Sequence, residues 1–329
     1  MIYLVSMYDS SYARREMEYT RLFLNSKCNR EVARCITDPL QLKQVKGDDI
    51  VVLADWHQHP SYYSDSSFTK WSWDEEIDKL NKNNIVAWAG DTRFKNDLPG
   101  IKYAISYVPT TFMNFTDDEI HAFFDRFWGT GKHPRLISWK DLLPQLQYDY
   151  CLAETQVDWF VPIWNKSKEY DLTYIINGAM KYRHYQFDWL EKIDNNMQLG
   201  NWPNSKHEFL REFAAKHPNN EYVAEKMFKP GQFLNAIASG YYTIIANDDN
   251  VTMPKLLVAR FWEAIRANVI PLIHIENDPD KQIYYNFPTL KKYCYFEDGG
   301  QLKYIVKIKP EYSACKRELN ELRTRYIGR

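Results

Sequence analysis

Short runs of aliphatic and β-branched residues alternate with helical patterns along almost the whole chain, and this alternation constrains the fold more than any other feature. "IYLVS" (2–6) reads as a strand, Ala13 to Leu24 as a helix, and "EVARCI" (31–36) as a second strand. "DIVVLA" (49–54) and "NIVAWAG" (84–90) are apolar throughout, with a helical stretch from Asp74 to Leu80 between them. Strands with no polar alternation are buried on both faces, the signature of parallel strands joined by crossover helices. The stretch 101–165 is less regular; within it Asp117 to Trp128 reads as a helix with Thr116 as its N-cap.

A second cycle starts near residue 171. "DLTYII" (171–176) is a strand closed by Asn177-Gly178, "QFDWLEKI" (186–193) a helix, and Asn201 to Asn220 a polar, interrupted region. "GQFLNAIASG" (231–240) is a short helix, "YYTIIAN" (241–247) a strand, and "VIPLIHI" (269–275) another. Pro254 falls in the first turn of the helix that reaches Ala267, where proline is tolerated. Cores stop growing near ~250–300 residues, and this chain has 329. The expected fold is α/β: two Rossmann-like domains facing across a cleft, 1–165 and 166–310, with the helix at 311–329 returning to pack on the first.

Several classes are excluded or disfavoured. No apolar run approaches the ~20 residues a membrane span needs, and Met1 to Ser6 lacks the basic start of a secretory signal. The five cysteines (28, 35, 151, 294, 315) form no C-x-x-C pair, which fits reduced thiols and no zinc ribbon. Net charge is −1, so nothing draws the whole chain to nucleic acid. The charge is uneven: from Leu302 to Arg329, eight Lys/Arg against three Glu give a local +5.

One segment, "ARFWEAIRANVIPLI" (259–273), carries chemistry. With ~100° per residue, Leu257, Phe261, Ala264 and Ile265 share one stripe, and Arg260 and Glu263 lie together on its flank. A surface ion pair is the plain explanation. The helix, however, follows the polar loop "NDDNVTM" (247–253) beyond a strand's carboxyl end, where open α/β sheets bind ligands. There an arginine forks onto phosphate and a glutamate accepts two hydrogen bonds from a ribose diol.

These residues resemble the nucleotide-sugar motif of glycosyltransferases with the B-type fold. The form Arg260-Phe261-Trp262-Glu263 is similar to that of the DNA β-glucosyltransferases of T-even phages; "YIINGAMKYR" (174–183) and "NIVAWAGDTR" (84–93) are similar to further segments of the same family. The resemblance implies a UDP-sugar co-substrate, with the first domain taking the acceptor and the second the donor. Arg260 and the basic residues after Gly178, namely Lys181 and either Arg183 or His184, would hold the diphosphate, and Glu263 the ribose. Lys181 stands where the family has an arginine, so one contact becomes a point charge instead of a fork. Asp91 matches the catalytic aspartate, acting as general base in an inverting displacement. Glu18, or Glu16, on the first helix would bond the donor sugar.

The resemblance also implies a divalent ion, Mg²⁺ or Mn²⁺, for which Asp248 and Asp249 are the candidates; a polar turn explains the same pair. "DWHQHPSYYSDSSFTKWSW" (55–73), with His57, His59, Tyr62, Trp71 and Trp73, is read as an acceptor-facing loop. Its aromatic rings would stack a flipped base at roughly 1–3 kcal/mol each, although ordinary packing of a long loop accounts for them too. The implied protein is a monomer in the cytoplasm of an infected bacterial host, modifying hydroxymethylcytosine or a similar pyrimidine in double-stranded DNA. The near-neutral charge keeps open a second acceptor class, a cell-surface glycan or small molecule.

Overall fold

The computed structural model describes residues 1–6, 11–53, 70–89, 101–106, 135–150, 166–176, 184–194, 196–201, 209–223, 232–245 and 259–327. The chain divides into two compact units, Met1–Trp159 and Phe160–Arg329.

The first unit is built on a six-stranded parallel sheet: β1 (Ile2–Val5), β2 (Ala33–Ile36), β3 (Ile50–Leu53), β4 (Ile85–Ala89), β5 (Tyr103–Ser106) and β6 (Arg135–Ile137). Their spatial order is β2-β1-β3-β4-β5-β6. Side chains alternate between faces with a period of two. Ile2, Leu4, Val52, Val86, Trp88 and Ile105 face helix α1 (Ser11–Cys28) and the short helix α3 (Trp139–Leu142), where they meet Met17, Phe23, Leu24 and Trp139. Tyr3, Val5, Val51, Leu53, Ile85, Ala87 and Ala104 face the other way, onto Leu42 and onto Trp73 and Ile77 of α2 (Lys70–Asp78). Both faces are therefore dry, as the unbroken apolar runs require. Trp73, read from sequence as an acceptor-facing ring, is a core residue.

The second unit has its own parallel sheet: β7 (Tyr170–Ile176), β8 (Met197–Asn201), β9 (Glu221–Val223), β10 (Gly240–Ile245), β11 (Ile270–His274) and β12 (Tyr295–Phe296), in the order β12-β11-β10-β7-β8-β9. Its helices are α4 (His184–Glu191), α5 (Phe209–Lys216), α6 (Gln232–Ala238), α7 (Ala259–Arg266), α8 (Pro288–Tyr293), α9 (Gly299–Ile308) and α10 (Tyr312–Tyr326). Sequence reading treated 201–220 as interrupted, but α5 stands inside it, burying Leu210 and Phe213. It also passed over β5, β6, β8, β9 and β12, of which β6, β9 and β12 have only two or three residues. The expected helix at Asp117 to Trp128 lies outside the described residues.

The C-terminal helix, α10, packs within the second unit on α7, α8 and β11. Its buried stripe of Cys315, Leu319, Leu322 and Tyr326 matches an apolar face there, and Tyr326 meets Trp262 of α7 ring to ring at 6.2 Å. A helix cap helps to fix the docking. The first residue of α8 is Pro288 and its N-cap, Phe287, has no capping side chain. Glu318 of α10 fills the gap, accepting from the Thr289 and Leu290 amides at 2.9 and 2.8 Å and from the Thr289 hydroxyl at 2.6 Å. A carboxylate at a helix N-terminus satisfies orphan donors and meets the positive end of the dipole.

Candidate functional site

Topology locates the candidate site before any side chain does. Counted from its own first strand, the second sheet runs 3-2-1-4-5-6, the dinucleotide-binding order, whose switch point lies between β7 and β10. Ligands of such sheets bind beyond the carboxyl ends at the switch point. The segments leaving those ends are 177–183, with Gly178, Lys181 and Arg183, and 246–258, with Asp248 and Asp249. The first sheet runs 2-1-3-4-5-6, with its switch point between β1 and β3. The segment after β3 carries His57, His59 and Tyr62, and the segment after β4 carries Asp91. All nine of these residues lie outside the described residues. Sheet order alone puts each in a segment that starts at a strand's carboxyl end.

Glu16, Trp71 and Arg260 stand on α1, α2 and α7, but their side chains are likewise outside the description. Helix α7 is buried more completely than a single stripe would require. Phe261, Trp262, Ala264, Ile265 and Ala267 have no exposed surface, and Arg266 keeps only 1%. From 261 to 267, Glu263 alone is half-buried. Within this enclosed stretch the helix is open only at the glutamate, one turn from position 260 in helical register.

The far end of α7 explains why the helix can afford so little freedom. Asn268 takes φ 60°, the left-handed conformation, and the Val269 and Asn268 amides donate back to Ala264 and Ile265 at 3.0 and 3.1 Å. Three cations converge on it. Lys168 Nζ donates to the Asn268 carbonyl at 3.0 Å and to the Ala238 carbonyl at the end of α6 at 2.8 Å. Lys316 Nζ donates to the Asn268 carbonyl, and Arg323 Nη1 to its side-chain oxygen at 3.2 Å. Positive groups suit the negative ends of two helices. Burial brings the Lys168 ammonium down to about 8, helped by the charge of Lys166. Burial, with the charges of Lys168 and Arg323, brings Lys316 down to about 7. Nothing in the sequence pattern points Arg266, Lys168, Lys316 or Arg323 to this end of α7. The one available signal was Asn268, a left-handed cap residue between a helical pattern and a strand.

In the first unit, Glu18 is already engaged. Arg21 donates to it through Nε at 2.8 Å and through Nη2, and this pairing lowers the carboxyl's pKa. Neighbouring Cys35 is pushed up to about 12, first by burial and then by the Glu18 charge. Among the described residues, no group of three or more His, Cys, Asp or Glu could hold a metal ion. No described helix is long and apolar enough to cross a membrane.

No protein-family model matches the chain, and no curated protein matches it. Solved structures do. β-Glucosyltransferase of T4 phage is similar with a TM-score of 0.56 at 13% identity, over 98% of this chain and 95% of that one. T4 phage BGT in complex with its UDP-glucose substrate is similar with a TM-score of 0.57, at the same identity and coverage. The fold of this chain is accordingly that of a B-type glycosyltransferase, with two Rossmann-like domains.

Proposed function

We propose that this chain is a UDP-sugar-dependent glycosyltransferase that moves a sugar, with inversion, onto a hydroxymethylated pyrimidine of DNA. One observation carries the donor half. The Arg260-Phe261-Trp262-Glu263 segment stands on the helix that follows the switch-point strand of a dinucleotide-type sheet, and that helix opens at Glu263. The acceptor half is supported by the likeness to the T4 phage β-glucosyltransferase across nearly the full length of both chains.

In this reading Glu263 accepts from the ribose hydroxyls, and Arg260, Lys181 and Arg183 surround the diphosphate. Their charge stabilises UDP as it leaves, which is where negative charge develops. Asp91 takes the proton from the acceptor's hydroxymethyl oxygen; that oxygen attacks the anomeric carbon from the face opposite UDP. Glu16 or Glu18 orients the sugar, and His57, His59, Tyr62 and Trp71 line the acceptor side. Asp248 and Asp249 would hold Mg²⁺ or Mn²⁺ through hard oxygen donors, and such an ion supplies further charge neutralisation at the diphosphate.

A second acceptor class, a glycan or small molecule, is favoured by one finding. The basic C-terminus is largely spent on internal contacts. Lys303 pairs with Asp194, Lys307 and Lys309 with Asp171, and Arg325 with Glu321, while Lys316 and Arg323 bond Asn268. Six of its eight cations are thus engaged, and the local +5 is a weaker lure for phosphates than its count suggests. The deciding experiment offers a panel of UDP-sugars with hydroxymethylated or plain duplex DNA, then digests the DNA to nucleosides for mass spectrometry. A glycosylated nucleoside from the hydroxymethylated duplex alone is expected. Hydrolysis or turnover of a UDP-sugar with no DNA product moves the assignment to the second class.

A further inference from the structure

The proposed chemistry uses none of the cysteines, and two of them, Cys294 and Cys315, touch. Cys294 caps the C-terminus of α8 and leads into β12; Cys315 sits in the first turns of α10. Their sulfurs are 4.0 Å apart although 21 residues separate them in sequence. The Cys294 thiol donates to the Cys315 sulfur, and the Cys315 thiol donates to the Thr289 carbonyl at 4.0 Å. Neither residue is more than 1% exposed. Closing an S–S bond would bring the sulfurs nearer by about 2 Å, within reach of a χ1 adjustment between packed elements.

We propose that Cys294 and Cys315 form a redox-responsive dithiol that peroxide converts to a disulfide, stapling α10 to the α8–β12 junction. The two thiols differ in the way such a pair needs. The hydrogen bond from Cys294 favours the thiolate at Cys315 and lowers its pKa, whereas burial raises that of Cys294. Glu318, which faces both, opposes ionisation of either. Cys315 is therefore the attacking sulfur. Its thiolate takes one oxygen of hydrogen peroxide, the O–O bond breaks, and hydroxide leaves to become water on protonation. Cys294 then attacks the sulfur of the resulting sulfenic acid, the S–O bond breaks, and a second water departs. Two thiols are oxidised and one peroxide is reduced. The other described cysteines are poorly placed for this: burial raises the pKa of Cys28, and burial with the Glu18 charge raises that of Cys35.

The consequence is mechanical. Helix α10 backs α7, the helix of Arg260 and Glu263, so the staple would stiffen the support behind that segment without touching it. The test treats the full native chain with hydrogen peroxide, quenches, and maps tryptic peptides without reduction. The expected result is a peptide pair joined through Cys294 and Cys315, and a Tm raised by roughly 5–10 °C for a loop of this length. Dithiothreitol should reverse both changes, and Cys315→Ala should abolish both. If Cys315→Ala does not fold, Cys294→Ser gives the same readout. Absence of the 294–315 link in folded protein, or a link that lowers Tm, overturns the proposal.

Discussion

The two ends of helix α7 meet opposite requirements. Toward its start stand Arg260 and the half-open Glu263, while at its end Arg266 is enclosed and Asn268 is gripped by Lys168, Lys316 and Arg323. In the proposed reading the first end meets the donor, while the contacts at the second hold the helix still. Preorganised groups bind or stabilise charge well only when their support does not move. One helix thus carries function and support in separate turns, and the two can be disturbed separately. Substitutions at the carboxyl edges of the sheets should alter turnover or donor affinity with Tm unchanged. Substitutions around Asn268 should alter Tm first.

The largest effect should come from the functional side. Asp91→Asn preserves shape and removes basicity, and a positioned general base is worth ~10²–10⁴-fold in rate. The expected outcome is a kcat lowered by that order with UDP-sugar affinity nearly intact, measured by single-turnover kinetics and calorimetry. Wild-type turnover in the variant would place the base elsewhere. Glu263→Ala comes next. Losing a charge-assisted bond and stranding its partner costs about 1–3 kcal/mol, so UDP affinity should fall roughly tenfold to a hundredfold with Tm unchanged. A folded variant that binds UDP as wild type does would return Glu263 to the status of a surface residue.

Much of the scaffold could be read from the sequence, and the reason is physical. Strands buried on both faces, such as "IYLV" and "IPLI", have no polar alternation to confuse them with anything else of that length, and β1 and β11 stand where they were expected. Helix α7 was also legible, and helical geometry sets positions 260 and 263 side by side on it whatever surrounds them. What escaped was tertiary. Four-residue α3 and two-residue β12 have too few residues to show a period. The destination of α10 depends on which apolar face its stripe fits, and on Glu318 finding the uncapped start of α8 across 29 residues of sequence. The cations on Asn268 are drawn from 100, 48 and 55 residues away. Nothing in the local pattern of "RAN" announces them.

On the supporting side, Asn268 permits a paired test. Its backbone is left-handed at φ 60°, which costs an ordinary L-residue roughly 1–2 kcal/mol and glycine almost nothing. Asn268→Ala should therefore lower stability by about that amount, a loss of several degrees in Tm, whereas Asn268→Gly should stay close to wild type. The Lys168 and Lys316 bonds go to the backbone carbonyl and survive in both, while the Arg323 bond to the side chain is lost equally in each. Equal losses in the two variants would show that the side-chain bond, and not the backbone conformation, is what matters.

The prediction most specific to the cation cluster is its pH dependence. Lys316 and Lys168 are lowered to about 7 and about 8 in the folded chain, against roughly 10.4 when unfolded. Between those limits the unfolded chain binds more protons than the folded one, so stability rises with pH across that window. The contribution is complete only above the unfolded value and is lost as pH falls through 8 and then 7. Chemical denaturation at fixed steps from pH 6.5 to 9.5 should show this rise in the wild-type chain. Lys316→Met removes the lower-titrating partner, and it also relieves Lys168 of a charged neighbour. The rise should then be shallower and confined to the window above pH 8. A pH profile unchanged by Lys316→Met would mean that the ammonium stays charged throughout. The support behind α7 would then rest on a permanent cation bound to the Asn268 carbonyl, with no titrating amine in it.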